Sequence, residues 1–478
     1  MKLSSIAKAI CGLLMVLGGL MLTVPFIDYV YHEPISEYFL VAGILLLGVG
    51  SILSRIKAEP LTTLEALVTA AIAWVIIPLI SAVVLALQIN IDFVDALFES
   101  VSGFTGTGFT VLTPSHLKHS ILFWRSFMQW TGELGFVVFA MVLIPYFYKI
   151  ARALYGIERP VKLETTFYRT AIRLILIYLL LTVLGTAAYV LAGMPFFEAL
   201  NHVMTTVATG GMSTYDNGYN TIYAYAPATY WPFMIFMVLG GMNFIDLHSM
   251  FSGKIKRLIT SEEFRYYIGS LIFISLLVSL SYHYVEGIKS WVDAFKIGFF
   301  NTVSGMTTTG FNIGSLANLK DVTKALITVG MFIGGMTFST AGGIKSLRLM
   351  LFMKKLKHYV QSMISPSSIV RAISAHGRSV SDTDIAAALL FIIVHGIVVV
   401  SSALAISAYG YSFTDALFET TSAASCVGLS VNVVSSTAPT GVKLIITAVM
   451  LMGRIEYLNV FLLLALIFGR RTIALTRQ

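Results

Sequence analysis

The chain is poor in charge, in cysteine and in recognisable enzyme motifs. Only 12% of its 478 residues are Asp, Glu, Lys or Arg, against about 25% in an ordinary water-soluble domain, which excludes a soluble globule. Its two cysteines, Cys11 and Cys426, are too few for a disulfide framework or a zinc site, so helix packing must hold the fold. Neither G-x-x-x-x-G-K-[ST] nor a soluble Rossmann unit occurs, and any nucleotide control must come from another chain. His32-Glu33 runs into Pro34, Ile35 and Ser36, so H-E-x-x-H is absent. Val101-Ser102-Gly103 and Val303-Ser304-Gly305 resemble a serine-protease string, but Ser100 and Thr302 stand where its leading glycine belongs. An intramembrane enzyme finds no motif to rest on.

Apolar side chains, by contrast, make up 57% of the sequence. A helix needs about 20 apolar residues to cross a bilayer's hydrocarbon, and ten stretches qualify: 6–29, 36–55, 63–88, 121–146, 168–192, 229–251, 266–285, 322–343, 385–409 and 443–468. Lys2 and Lys8 precede the first run as in a signal peptide, but the run is too long and lacks an A-x-A site, so it is expected to stay as an anchor. Of the 32 Lys and Arg, 24 fall on one side of these spans. That side is the cytoplasm by the positive-inside rule, with both termini inside. The net charge of +8 is thereby a topology signal, and nucleic acid is not expected as a partner.

An internal repeat organises the chain. Phe93-Val94-Asp95-Ala96-Leu97-Phe98-Glu99 matches Phe413-Thr414-Asp415-Ala416-Leu417-Phe418-Glu419, with looser copies at Phe197-Glu198-Ala199-Leu200 and Trp291-Val292-Asp293-Ala294-Phe295. Each opens a short amphipathic helix. After each comes a glycine-bearing loop, with Gly108, Gly211, Gly310 and Gly428 aligned at intervals of 103, 99 and 118 residues. The acid precedes that glycine by 13 residues in three copies and by 17 in the third, one extra helical turn. A further glycine recurs in each following span, at Gly132, Gly240, Gly334 and Gly453. The expected fold is an all-α polytopic membrane protein. Its four pseudo-repeats of outer helix, pore helix with filter loop, and inner helix surround a pseudo-fourfold axis, behind two extra transmembrane helices. The expected units are 1–60 for the prefix, then 61–150, 151–260, 261–360 and 361–478.

Irregular backbone at membrane depth is tolerated only inside protein or beside a water-filled cavity. Four loops meeting on an axis can turn carbonyls inward as a ring that replaces an ion's hydration shell. Glycine allows the backbone this requires. The helix ahead of each loop directs its negative C-terminal end to the axis, favouring a cation. Asp95, Glu198, Asp293 and Asp415 then stand at the outer mouth, as cation attractors, helix caps or both.

The sequence resembles the Trk/Ktr/HKT superfamily of potassium transporters, and specifically its TrkH-like branch. The resemblance spans the chain and rests on four strings: residues 102–110 (SGFTGTGFT); Phe123-Trp124-Arg125-Ser126 with Gln129-Trp130; Thr307-Thr308-Thr309-Gly310-Phe311; and Gly453-Arg454-Ile455-Glu456. It implies one permeation path per chain, taking up potassium across a prokaryotic cytoplasmic membrane. The filter would be lined by the carbonyls of Thr107, Gly108, Gly210, Gly211, Thr309, Gly310, Val427 and Gly428. Glycine in all four aligned positions goes with potassium preference in this family. The second and fourth loops lack the Thr that directly precedes the aligned glycine in loops one and three, so the filter is not expected to be fourfold symmetric.

Residues 334–343 (GGMTFSTAGG) are too rich in Gly, Ser and Thr for an ordinary inner helix, since each Gly costs about 1 kcal/mol against Ala, and they are read as a broken, movable segment. In the family this region closes the pore, which makes Gly334, Gly335, Gly342 and Gly343 gate residues, and Arg454 matches the arginine beside it. Buried there, Arg454 is an electrostatic barrier below the filter, or else the structural partner of Glu133 or Glu456. Arg125 is read as a packing or ion-pairing residue near the outer interface, Cys426 as an apolar wall, and His202, His248 and His395 as hydrogen-bonded packing residues. Potassium is expected as the transported substrate, with no organic cofactor. The expected partners are a second copy in a homodimer, membrane lipid, and a TrkA-like cytosolic nucleotide-binding ring docking near residues 345–357, Arg152 and Lys254. The alternatives are a sodium- and potassium-permeable or proton-coupled cation symporter and a secondary transporter of organic solutes, which ordinarily shows two large repeats.

Overall fold

A computed structural model describes residues 3–53, 55, 59, 61–134, 167–364, 373–375 and 378–457. Helices dominate throughout. Among the described residues the only extended pairing is a two-residue antiparallel clasp, Ser374–Ala375 with Arg378–Ser379.

The N-terminal prefix is a helix from Leu3–Met21, interrupted at Leu22 and continued as Thr23–Val30, which packs against a second helix, Glu37–Leu53. Close approach comes from glycine: a Cβ on Gly18 would collide with the carbonyl of Gly43 across that interface, the small-residue packing that lets membrane helices meet. Four outer helices follow at Thr63–Ile89, Phe167–Leu191, Glu262–Tyr284 and Asp382–Ser407. Their starts are encoded locally. Thr62 and Glu65 form a reciprocal capping box, and Ser261 and Ser381 accept from the backbone N–H three residues ahead.

Each outer helix leads into a pore helix: Phe93–Phe104, Phe196–Val207, Trp291–Met306 and Phe413–Ala424. Three run 12 residues and the third runs 16, which is where the extra turn predicted from the spacing is found. Inner helices then span His119–Leu134, Tyr230–Gly240, Asp321–Ile333 and Thr440–Ile455.

Five helical stretches among the described residues are long and apolar enough to cross a membrane, namely Leu3–Val30, Glu65–Ile89, Ile172–Leu191, Glu262–Tyr284 and Asp382–Ser407. These are one prefix span and the four outer helices. The other expected spans are shorter among the described residues, and the reason is visible in two of them. Inner helix two stops at Gly240, and the chain resumes as a separate helix, Phe244–Phe251, capped by Asn243. Inner helix three stops at Gly334, whose φ of 73° no other residue adopts cheaply. The expected stretches 121–146 and 443–468 continue outside the described residues.

The helices close a ring. Inner helix one packs on pore helix two, inner two on pore three, inner three on pore four, and inner four back on pore one. A chain of four similar units joined this way surrounds a single axis.

Candidate functional site: four loops on one axis

The four post-helix loops meet in the same cyclic order. A Cβ on Gly108 would overlap the carbonyl oxygen of Gly210; on Gly211, that of Thr309; on Gly310, that of Val427; and on Gly428, that of Thr107. Each filter glycine therefore faces the peptide oxygen just ahead of the next filter glycine, and the fourth returns to the first. Any side chain at these positions would fill space that belongs to a neighbour's oxygen. All eight candidate filter residues, from Thr107 to Gly428, lie in this ring.

The backbone pattern is common to the four loops. Left-handed φ values recur two residues apart, at Gly106 and Gly108, Thr209 and Gly211, Thr308 and Gly310, and Cys426 and Gly428. The residue between them is never in that region. Alternating hand turns successive N–H groups to one side and successive carbonyls to the other. The N–H side is accounted for: Thr107, Gly210, Thr309 and Val427 donate back to Ser102, Thr205, Ser304 and Ser422 in the last turns of their pore helices, at 3.0, 2.7, 2.8 and 2.8 Å. The oxygens of Thr107, Gly210, Thr309 and Val427 face the filter glycine of the neighbouring loop. Thr209, Thr308 and Cys426 hold αL conformations that cost on the order of 1–3 kcal/mol each, strain of the kind that gathers at functional sites.

Behind this ring lies a second set of four positions to which the sequence reading gave no shared role. Nine residues before the filter glycines stand Glu99, His202, Asn301 and Glu419, all buried in the pore helices. Each ties its helix to the strand leaving the filter. Glu99 accepts from Thr110 Oγ1 at 3.0 Å, His202 Nε2 meets Ser213 Oγ at 2.9 Å, Asn301 accepts from Ile313 N at 2.8 Å, and Glu419 accepts from Ser430 Oγ at 2.6 Å and Val431 N at 2.9 Å. Three residue types perform one task in four places, which hides the alignment. The signal available was a polar residue at a fixed distance before each aligned glycine. Arg125, read as a packing or ion-pairing residue, is 1% exposed and bonds Glu99 at 2.6 Å and the Ser213 carbonyl at 2.9 Å, joining loop one to loop two. The expected ion pair is present, with the buried Glu99 as its partner.

The mouth acids fall into two kinds. All four stand in the first turn of a pore helix, where the helix dipole favours a carboxylate. Asp95 is ion-paired with Lys443 at 2.5 Å and Asp415 with Lys324 at 2.6 Å, each lysine coming from the preceding inner helix around the ring. Glu198 and Asp293 have no ion-pair partner among the described residues. The caps proper are Asp92, Ser290 and Ser412, which accept from the first-turn backbone.

On the inner side of the ring, residues 334–345 form a loop with a closed neck. Gly334 lies so near Gly342 and Gly343 that no Cβ fits, and Ser346 N donates to Gly335 O at 2.8 Å. Its tip reaches three of the four filter loops. Thr340 Oγ1 bonds the carbonyls of Val207 and Gly240 and receives Thr209 Oγ1, Gly342 N donates to Thr308 Oγ1 at 2.8 Å, and Gly342 abuts the Ser425 carbonyl. Under loop one stands Glu133 instead, its carboxylate filling the space beside Gly106. Arg454 Nη1 bonds Glu133 at 2.6 Å and its Nη2 bonds the Gly132 carbonyl at 3.0 Å. Of the two partners expected for Arg454, Glu133 is the one it meets; Glu456 pairs with Arg348 at 2.9 Å. The recurrent inner-helix glycines also find a reason. Gly132 and Gly453 lie against the carbonyls of Phe104 and Ala424, and Gly240 against that of Val207, each at the end of its own pore helix, while Gly334 begins the loop. His395 is held by Tyr457 at 3.0 Å and His248 by Arg173 at 3.1 Å, as packing residues.

Known proteins share this architecture. Residues 39–470 match the family described as TrkH, cation transport protein. An uncharacterized cation transporter of Methanocaldococcus jannaschii is 32% identical over 474 residues, covering 96% of this chain and 96% of the relative. The Trk system potassium uptake protein TrkH of Salmonella typhimurium is 30% identical over 478 residues, covering 96% and 98%. The crystal structure of the potassium transporter TrkH from Vibrio parahaemolyticus superposes with a TM-score of 0.85 at 27% identity, covering 98% of each chain. With these spans and these likenesses, the chain is a multi-pass membrane protein and belongs to the TrkH family of cation transport proteins.

Proposed function

We propose that this protein takes up potassium across a prokaryotic cytoplasmic membrane, through one filter per chain, and that it is a transporter rather than an enzyme. One observation carries the reading: the closed ring in which each of four glycines faces the next loop's peptide oxygen. Rings of carbonyls replace the hydration shell of a monovalent cation without offering the fixed negative charge a divalent ion would demand. The named uptake proteins among the relatives support potassium as the ion.

In this reading the carbonyls of Thr107, Gly108, Gly210, Gly211, Thr309, Gly310, Val427 and Gly428 line the ion sites. The loop bearing Gly334, Gly335, Gly342 and Gly343 blocks the inner exit together with Arg454. Glu198 and Asp293 draw cations to the mouth more strongly than Asp95 and Asp415, whose charge is compensated by lysine. The organisation into a prefix at 1–60 and repeats at 61–150, 151–260, 261–360 and 361–478 follows the ring order. Both termini face the cytoplasm, the chain pairs with a second copy, and no organic cofactor takes part. A TrkA-like nucleotide-binding ring docks on the basic face near residues 345–357 and Lys254; Arg152 lies outside the described residues. Lys354 and Lys355 are already engaged by Glu262 and Asp382, which leaves Lys357 exposed to such a partner.

Flux through the purified protein in liposomes tests the proposal. Potassium and rubidium should pass faster than sodium, and added amino acids or sugars should not compete. Solute-dependent flux, or no preference among the cations, would overturn it.

A further inference from the structure

Repeat two departs from its companions at one filter position. Where loops one, three and four carry Thr107, Thr309 and Val427 ahead of the aligned glycine, loop two carries Gly210. The cause is a side chain from another repeat. A Cβ on Gly210 would lie 2.6 and 2.7 Å from the amide oxygen and nitrogen of Gln129, which occupies the volume a Thr or Val would need. Gln129 comes from inner helix one and is fully buried.

It grips loop two on both sides of Gly211. Its Nε2 donates to the Gly210 carbonyl at 2.7 Å, and its Oε1 accepts from Met212 N at 3.0 Å. The amide orientation is fixed by this environment, because reversing it would set oxygen against oxygen and N–H against N–H. The Gly210 oxygen is one of the four that meet the neighbouring glycines, the one facing Gly108. Counting three residues back from Gly132, Gly240 and Gly453, the matching inner-helix positions are Gln129, Met237 and Met450. No thioether can donate this bond. The amide clamp thus belongs to one quadrant of the ring.

We infer that Gln129 is a specificity-determining positioning residue, which fixes the Gly210 carbonyl toward the path and occupies part of its accepting capacity. Three oxygens of the ring then meet the ion with their full lone-pair complement, and the fourth is shared with an amide. A ring so pinned discriminates between ions by holding its radius, since loop two cannot collapse around a smaller cation without breaking both bonds. The inference rests on the potassium-filter reading above.

The test measures bi-ionic potassium and sodium flux through the full-length protein in liposomes, for the wild type and for Gln129→Met. Met gives inner helix one the residue that helices two and four carry. The potassium-to-sodium ratio is expected to fall about tenfold, the scale set by losing one or two hydrogen bonds, while potassium flux stays within about threefold of wild type. Gln129→Glu, nearly isosteric, keeps the acceptor for Met212 and loses the donor to Gly210, and its ratio should fall as well. Gly210→Ala alone should depress potassium flux, and adding Gln129→Ala should restore it, because the clash is removed. A wild-type protein that does not favour potassium would defeat the underlying reading. A selective wild type, with Gln129→Met or Gln129→Glu equally selective, would overturn the role of Gln129 alone. Should the Met variant fail to purify as a monodisperse species, the Glu variant and the Ala pair decide.

Discussion

The filter ring and its surroundings are built on opposite plans. In the ring, four loops repeat one backbone conformation, with left-handed residues at the same two positions and N–H groups returned to the same turn of each pore helix. Around it, every quadrant is supported differently. Glu133 and Arg454 stand under loop one, Thr340 under loop two, and Gly342 under loops three and four, while Gln129 clamps loop two from the side. Where backbone packs against backbone, geometry allows little variation. Where side chains position that backbone, many solutions serve.

The largest effects should come from breaking the repeated part. Gly108→Ser places a Cβ on the Gly210 oxygen at a φ of 86°, so the two loops must separate or rotate. Sodium permeability relative to potassium should rise by an order of magnitude or more, a change of at least about 1.4 kcal/mol in discrimination. Gly310→Ser, which meets the Val427 oxygen in the same manner, should do likewise. Tracer flux of both ions measures this. If one serine variant lost selectivity and the other kept it, the equivalence of the quadrants would fail.

Breaking the unequal part separates stability from closure. Glu133 is 2% exposed and Arg454 16%, and removing one partner of a buried pair costs about 3–5 kcal/mol by stranding the other charge. Arg454→Ala should lower the thermal midpoint and raise cation leak. Adding Glu133→Gln should recover most of the stability, because no unpaired carboxylate is left, yet the leak should persist, because the cation below the filter is gone. A leak that disappeared in the double variant would make Arg454 structural only.

How much of this was legible in the sequence follows the same division. The aligned glycines, the four pore helices and the longer third one follow from spacing, because a backbone constraint imposes the same residue at the same interval. The supports were not legible in that way. Glu99, His202, Asn301 and Glu419 share a position while only the first and last share a side chain, and nothing local to Arg125 indicates the buried Glu99 that pairs with it. Arg454 and Glu133 lie 321 residues apart, and one sequence offers no signal that joins them. Hydropathy also runs unbroken across residues 229–251, concealing the stop at Gly240, although the Gly240-Gly241 pair and the Asn243 cap mark it once the backbone is known.

The smallest expected effect concerns the outer rim, where the four quadrants divide into two pairs. Lys443 and Lys324 each lie ten residues before the inner-helix glycine of their repeat, Gly453 and Gly334, and each bonds the first-turn acid of the next pore helix. Tyr230 holds the matching position in repeat two and bonds the Lys296 carbonyl instead, at 2.9 Å. The lysines are thus latches between neighbouring units in half of the ring. Asp95 is 24% exposed and stands at a helix N-terminus, so water and the helix dipole still stabilise it when Lys443 is lost. Lys443→Met should therefore cost only about 1 kcal/mol, read as a drop of a few degrees in the thermal midpoint in detergent, with ion selectivity unchanged because the filter backbone is untouched. Adding Asp95→Asn should change the midpoint little further, because the pair is already broken, whereas Asp95→Asn alone should lower it more than Asp293→Asn, which forfeits only the helix-dipole contribution. Equal shifts from Asp95→Asn and Asp293→Asn would show that the acids act through the helix dipole alone and that the latch contributes nothing.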